Sequence, residues 1–133
     1  MARYHFDCPL RWSDMDAFGH VNNARFLTLY EEARVSLMFT AARESGTNSF
    51  ESGVVIARHE IDYLLPVDHG NKVHIEMWVE EIRNSSFTMA YELFANGAVA
   101  SRARSVLVPY DLTAGRSRRI NDVEREYLEA WRD

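Results

Sequence analysis

The sequence predicts an α+β fold in which one long helix is wrapped by a curved antiparallel sheet. Three observations carry that prediction. The first is a helical segment whose apolar face is too wide to lie on a surface. The second is two stretches of clean apolar/polar alternation separated by short turns. The third is the element order: strand, long helix, then four strands, with 133 residues in which to bury a real core.

Residues Tyr4 to Trp12 read as the first strand, with Tyr4, Phe6, Cys8, Leu10 and Trp12 alternating with polar neighbours. Pro9 interrupts it, which predicts an edge position or a bulge. Ser13 to Asn22 reads as a loop. The helix is expected to begin at Asn22 or Asn23, since asparagine is a strong N-cap, and to run to about Arg43 before the Ser45-Gly46 stop. Phe26, Leu29, Tyr30, Ala33, Leu37 and Ala41 form one stripe, which Leu27, Met38 and Phe39 broaden beyond half the circumference.

Val54 to Leu65 follows as a strand stopped by Pro66. Lys72 to Arg83 alternates Val73, Ile75, Met77 and Val79 with polar residues, and Phe87 to Phe94 repeats the pattern with Phe87, Met89, Tyr91 and Leu93. Asn96-Gly97 is a hairpin signal, and Ala98 to Val108 is the last strand, stopped by Pro109. Val123 to Trp131 predicts a short terminal helix with Asp122 as its N-cap. The chain, residues 1–133, reads as a single domain without repeat or linker. A helix and sheet this exposed at one edge predict self-association as a homodimer, with a further pairing into a homotetramer also open.

Composition removes several functional classes. A net charge of -5 argues against non-specific nucleic-acid binding. No apolar run approaches a membrane span or a signal-peptide core, so a cytoplasmic protein without membrane partners is expected. The single cysteine, Cys8, excludes an intrachain disulfide and reads as a small buried apolar residue. There is no G-x-S-x-G elbow, P-loop or dinucleotide fingerprint, so no cofactor is expected. The five histidines lack the local spacing of a zinc site, so no metal is expected either.

What remains is Asp14-Met15-Asp16 just ahead of the helix. Gly19 lets the chain turn between Asp16 and the helix start, where free backbone N–H groups and the helix dipole favour negative charge. A carboxylate there can attack an acyl carbonyl or activate water, with a backbone N–H stabilising the oxyanion. From spacing alone the aspartates read first as turn-formers and caps, as aspartates before helices usually are.

The block DMDAFGHVNNARFLTLYEEAR resembles the signature of hotdog-fold acyl-CoA thioesterases of the 4-hydroxybenzoyl-CoA thioesterase type. It is most similar to the bacterial long-chain acyl-CoA thioesterases that carry Asp followed by HVNNAR. The segments Ile61–Val67 with Gly70, Ser85-Ser86-Phe87, and Val108–Asp111 with Thr113, Gly115 and Arg116 extend the resemblance over nearly the whole chain. The resemblance implies a hotdog fold and hydrolysis of an acyl-CoA to CoA and a carboxylic acid. It gives Asp16 the role of nucleophile or general base and the Asn23 backbone N–H that of oxyanion donor. It adds His20 to the catalytic set, with His20 and Asn22 holding the loop and capping the helix, and makes Asn22, Gly19, Ser86 and Arg116 substrate-binding residues, with Ser86 at the CoA moiety. Arg116, Arg118 and Arg119 form a basic cluster readable as phosphate contacts or as a surface tail. Asp14 reads as a turn-shaping residue. Glu31 is the alternative catalytic carboxylate of a related branch, against which stands a helix salt bridge to Arg34. Two further functions compete: a non-catalytic acyl-CoA-binding module and an acyl carrier protein thioesterase.

Overall fold

The curved sheet and its helix are present in the computed structural model, which describes residues 2–133. The sheet path is β1 (Tyr4–Asp7), β3 (Val73–Ile82), β4 (Phe87–Ala95), β5 (Ala98–Asp111) and β2 (Val54–Tyr63), antiparallel throughout. A two-residue strand, β6 (Arg116–Ser117), pairs with the end of β5 and was not expected. Register shifts at Ile56/Arg58, Val79/Glu81 and Leu93/Phe94 bend the strands around the helix, as bulges do.

Alternation sets the inner face as the sequence predicts. Val73, Ile75, Met77 and Val79 are buried, as are Phe87, Met89, Tyr91 and Leu93. They meet Phe26, Leu29, Tyr30, Ala33, Leu37 and Met38 of the central helix, and the Tyr30 hydroxyl donates to Ser101 Oγ at 2.7 Å. The helix comprises α1 (Arg25–Val35), a π-helical segment (Ser36–Ala41) and a last α turn (Ala42–Glu44). The π segment is missing from the sequence reading and changes it. One extra residue per turn moves the stripe on, so Ala42 rather than Ala41 is fully buried. Side chains help to hold that irregular turn: the Tyr127 hydroxyl donates to the Leu37 carbonyl at 2.6 Å, and Tyr4 hydrogen-bonds Ser36.

Five local expectations need correction. The first strand ends at Asp7, not Trp12, because Pro9 breaks the ladder and Trp12–Asp14 coils into a 3₁₀ turn. The central helix starts at Arg25, with Asn22 acting one turn earlier: its Oδ1 accepts from the Ala24 N–H at 2.9 Å. β5 runs through Pro109 to Asp111. Pro109 lies beyond the last β4–β5 pairs, so its missing N–H costs no bond to β4. The C-terminal helix is Asp122–Ala130, and its N-cap is Asn121, which forms a capping box with Glu124. Finally, Arg34 makes no ion pair with Glu31; it turns inward, is buried, and donates to the Tyr91 hydroxyl at 3.2 Å.

Gly53 is the point where the chain enters β2. Its φ is +143°, its carbonyl accepts from Tyr110 N–H at 2.9 Å, and a Cβ there would stand 2.5 Å from the Tyr110 carbonyl oxygen. Gly53→Ala is therefore expected to destabilise the fold by roughly 2–4 kcal/mol, combining backbone strain with overpacking, as read by thermal or denaturant melting.

Candidate active site

The loop between β1 and the central helix is a miniature hairpin. Met15 and Val21 bridge, Asp16 N–H donates to the His20 carbonyl at 2.7 Å, and Asn22 N–H donates to the Asp14 carbonyl at 2.8 Å. Gly19 closes the turn with φ +79°, a conformation that glycine adopts at least cost. Val21 N–H donates to Val67 and His20 bridges Asp68, which ties the loop to the segment after β2.

The two aspartates are separated by this geometry. Asp14 is fully buried, and its carboxylate accepts from the Arg11 N–H at 2.8 Å and lies 3.4 Å from the Arg11 guanidinium. It has no route to a substrate and shapes the turn, as expected. Asp16 is half-buried and faces outward. Its Oδ1 accepts from Phe18 N–H at 2.9 Å and His20 N–H at 3.2 Å, while Oδ2 takes no bond from any described residue. One oxygen is thus anchored and the other is left for chemistry.

Asp16, His20, Val21, Asn23 and Phe26, together with Tyr63, Leu64, Leu65 and Pro66, line an open groove of about 390 Å³. Asn23 precedes the helix, and among the described residues no acceptor pairs with its N–H. Its carbonyl accepts from the Tyr63 hydroxyl at 2.8 Å, and the Tyr63 ring packs edge-on against Phe26 at 5.1 Å. Tyr63 therefore anchors the peptide that follows the candidate oxyanion donor, on the same residue. It went unnoticed in the sequence because it reads as one more aromatic at a strand end. Tyr63→Phe is expected to lower kcat/KM about 3- to 10-fold, the worth of one hydrogen bond, with little change in melting temperature.

The other site residues are placed as follows. His20 grips Asp16 through its backbone, and its ring turns away, with Nε2 3.4 Å from Asp68 Oδ1. Asn22 caps the helix entry. Ser86, in the β3–β4 turn, and Arg116, in β6, do not line the groove within one chain. Arg118 is committed elsewhere, bonded to the buried Glu124 carboxylate, so the basic cluster is not one free patch. Glu31 lies in a separate crevice with Arg34, Met38 and Ile56. Cys8 is buried, and burial together with the nearby Glu32 and Asp14 carboxylates pushes its thiol up to about 12, which rules it out as a ready nucleophile. The one grouping of three metal-ligating side chains among the described residues is His5, His74 and Glu76, outside this groove.

Comparisons with known proteins bear on the family and the fold. Residues 10–130 match the thioesterase-like superfamily. A 1,4-dihydroxy-2-naphthoyl-CoA hydrolase of Synechococcus elongatus is 28% identical over 109 residues, 80% of each chain. Among solved structures, a predicted thioesterase from Bacillus stearothermophilus superposes with a TM-score of 0.87 at 29% identity, covering 99% of this chain and 98% of that one. A Thermus thermophilus thioesterase complexed with coenzyme A and Zn gives 0.77 at 32% identity, covering 97% and 92%. With the helix-in-sheet architecture and the loop that presents Asp16 already in place, the match over residues 10–130 makes this chain a member of the thioesterase-like superfamily, built on a hotdog-type fold.

Proposed function

We propose that this thioester hydrolase cleaves an acyl-CoA to free CoA and a carboxylic acid, with Asp16 as its reacting carboxylate. The observation that carries the reading is the division of labour at that side chain: Oδ1 is held by two backbone N–H groups, Oδ2 takes no bond from any described residue, and Asp16 lines the groove. As nucleophile, Asp16 bonds to the thioester carbonyl carbon, the C–S bond breaks, CoA leaves as thiolate, and water then hydrolyses the mixed anhydride. As general base, it takes a proton from the water that attacks the same carbon. In either route the carbonyl oxygen gains negative charge, which the Asn23 N–H and the positive end of the central helix stabilise.

The CoA moiety of the substrate is supported by the relatives, whose names specify CoA hydrolysis or bound coenzyme A. The groove wall of Leu64, Leu65 and Phe26 suits an apolar acyl group. The working unit is a homodimer. β2 is an edge strand with Val55, Ile56 and Tyr63 exposed; Leu64 and Leu65 just beyond it, and Leu27 and Val35 of α1, are also exposed. A second copy would cover that edge and bring Ser86 and Arg116 to the CoA moiety. No helix among the described residues is long and apolar enough to cross a membrane, in keeping with a CoA ester taken from solution.

A panel of acyl-CoAs from short aliphatic through long-chain to aromatic, read with a thiol-detecting dye, tests the assignment. Turnover of at least one class supports it. Binding of CoA esters without turnover across the panel would instead identify a binding module, and turnover of acyl carrier protein alone would identify a carrier-protein thioesterase.

A further inference from the structure

We propose that His5, His74 and Glu76 form a binding site for one divalent transition-metal ion of the Zn²⁺ class, stapling β1 to β3. The residues are far apart in sequence and meet through strand register: His5 pairs with Glu76, and Asp7 pairs with His74. Because the odd-numbered residues of β3 fill the core, these four side chains share the outer face as a cross-strand square.

One donor atom each from His5, His74 and Glu76 lies within 4.8 Å of the other two. Two imidazoles and a carboxylate are a zinc-type donor set, and nitrogen donors select Zn²⁺, Ni²⁺ or Cu²⁺ over Mg²⁺ and Ca²⁺. Donors around a tetrahedral zinc ion stand roughly 3.3 Å apart, given bonds of about 2 Å. Closing to that spacing needs side-chain torsion, not backbone movement. His74 is the fixed element, sandwiched between Phe94 (ring centroids 4.6 Å) and His5 (4.4 Å). His5 is the outer, more exposed ring and is free to tilt out of the stack. Glu76 is oriented from behind: Oε1 lies 3.3 Å from the Arg3 guanidinium, leaving Oε2 directed at His74 Nε2 at 3.2 Å. Asp7, 2.9 Å from His5 Nε2, stays outside the three-donor cluster as a hydrogen-bond partner of His5, and its charge offsets the neighbouring Lys72.

The lack of metal-binding spacing noted in the sequence concerns ligands on one segment. It does not reach donors assembled by two paired strands. The ion would reinforce the weakest part of the sheet, since β1 is four residues long and pairs with β3 alone. This site is independent of the hydrolytic reading, and its test does not use activity.

The experiment is a ZnCl₂ titration of metal-stripped, full-length protein against a chromophoric chelator, with thermal melting in parallel. Wild type is expected to bind an equivalent that H5A and H74A each weaken at least about 100-fold, a loss no smaller than that of a residue that only hydrogen-bonds a ligand. The double variant binds one equivalent fewer. Zn²⁺ raises the melting temperature of wild type and of His69→Ala by more than that of the double variant, and Cu²⁺ at the site shows coupling to two nitrogens by electron paramagnetic resonance. Equal stoichiometry and affinity in wild type and the double variant, with both folded by circular dichroism, would overturn the proposal.

Discussion

Asp16→Asn is expected to lower kcat by about 10²–10⁴-fold, the range spanned by loss of a positioned acid–base group, with the fold intact. The asparagine carbonyl oxygen can still accept from Phe18 and His20 N–H, so the hairpin that presents residue 16 survives. What disappears is the charged second oxygen. An amide neither attacks a thioester readily nor takes a proton from water, so loss falls on kcat while CoA affinity stays near that of wild type. Thiol release gives the rate, calorimetry with CoA gives the affinity, and melting shows that the loss is chemical.

A stability loss comparable to that at Gly53 is expected at Glu124. Its side chain is fully buried yet carries four bonds: from Arg118 Nη1 at 2.8 Å and Nη2 at 2.7 Å, from Ser49 Oγ at 2.9 Å, and from Asn121 N–H at 3.0 Å. It joins the helix-to-β2 loop, the segment after β5 and the C-terminal helix. Burial alone would push its carboxyl up; the bonds from Arg118, Asn121 and Ser49 overcome this and hold it below the ordinary carboxylate value of 4.5. Glu124→Ala removes all four bonds at once and leaves a guanidinium without its counter-charge. The expected cost is about 3 kcal/mol, at the low end for a broken buried pair because Arg118 remains partly exposed, or roughly 10 °C in Tm.

The same group sets a pH dependence of known sign. A carboxyl whose folded value is depressed contributes its stability in full above its unfolded value. That contribution fades as pH falls through the folded value. The stability difference between wild type and Glu124→Gln is therefore expected to be complete at neutral pH and to shrink below about pH 4.5. Chemical denaturation at a series of pH values reads it.

The sheet was legible because its information is local. Alternation from Val73 to Val79 and from Phe87 to Leu93 names the buried face without reference to any partner, and Asn96-Gly97 marks the turn. The central helix was legible in extent but not in phase. No property of Ser36–Ala41 signals a π segment, which is held by hydroxyls from Tyr4 and Tyr127 on elements distant in sequence. Arg34 misled for a related reason. Helical spacing offered Glu31, but the Tyr91 hydroxyl on β4, invisible to a one-helix pattern, took the guanidinium.

The candidate site divides in the same way. Asp16, Gly19 and the helix entry are consecutive, so their meeting could be argued from turn chemistry. The choice of Asp16 over Asp14 came from family resemblance; in the fold Asp14 is sealed under Arg11, while Asp16 lines the groove. Tyr63 reaches the site from the end of β2, by a contact that only the folded sheet creates.

The remaining carboxylate near the helix, Glu31, allows the sharpest comparison. It lies in a different crevice from Asp16, against Arg34 and Ile56. Side-by-side rates of thiol release by Asp16→Asn and Glu31→Gln, on whichever acyl-CoA wild type turns over best, separate the two. Catalysis by Asp16 predicts that Asp16→Asn falls at least about 10²-fold while Glu31→Gln stays within about threefold of wild type. Wild-type turnover by Asp16→Asn, or the reverse ranking of the two variants, would contradict it.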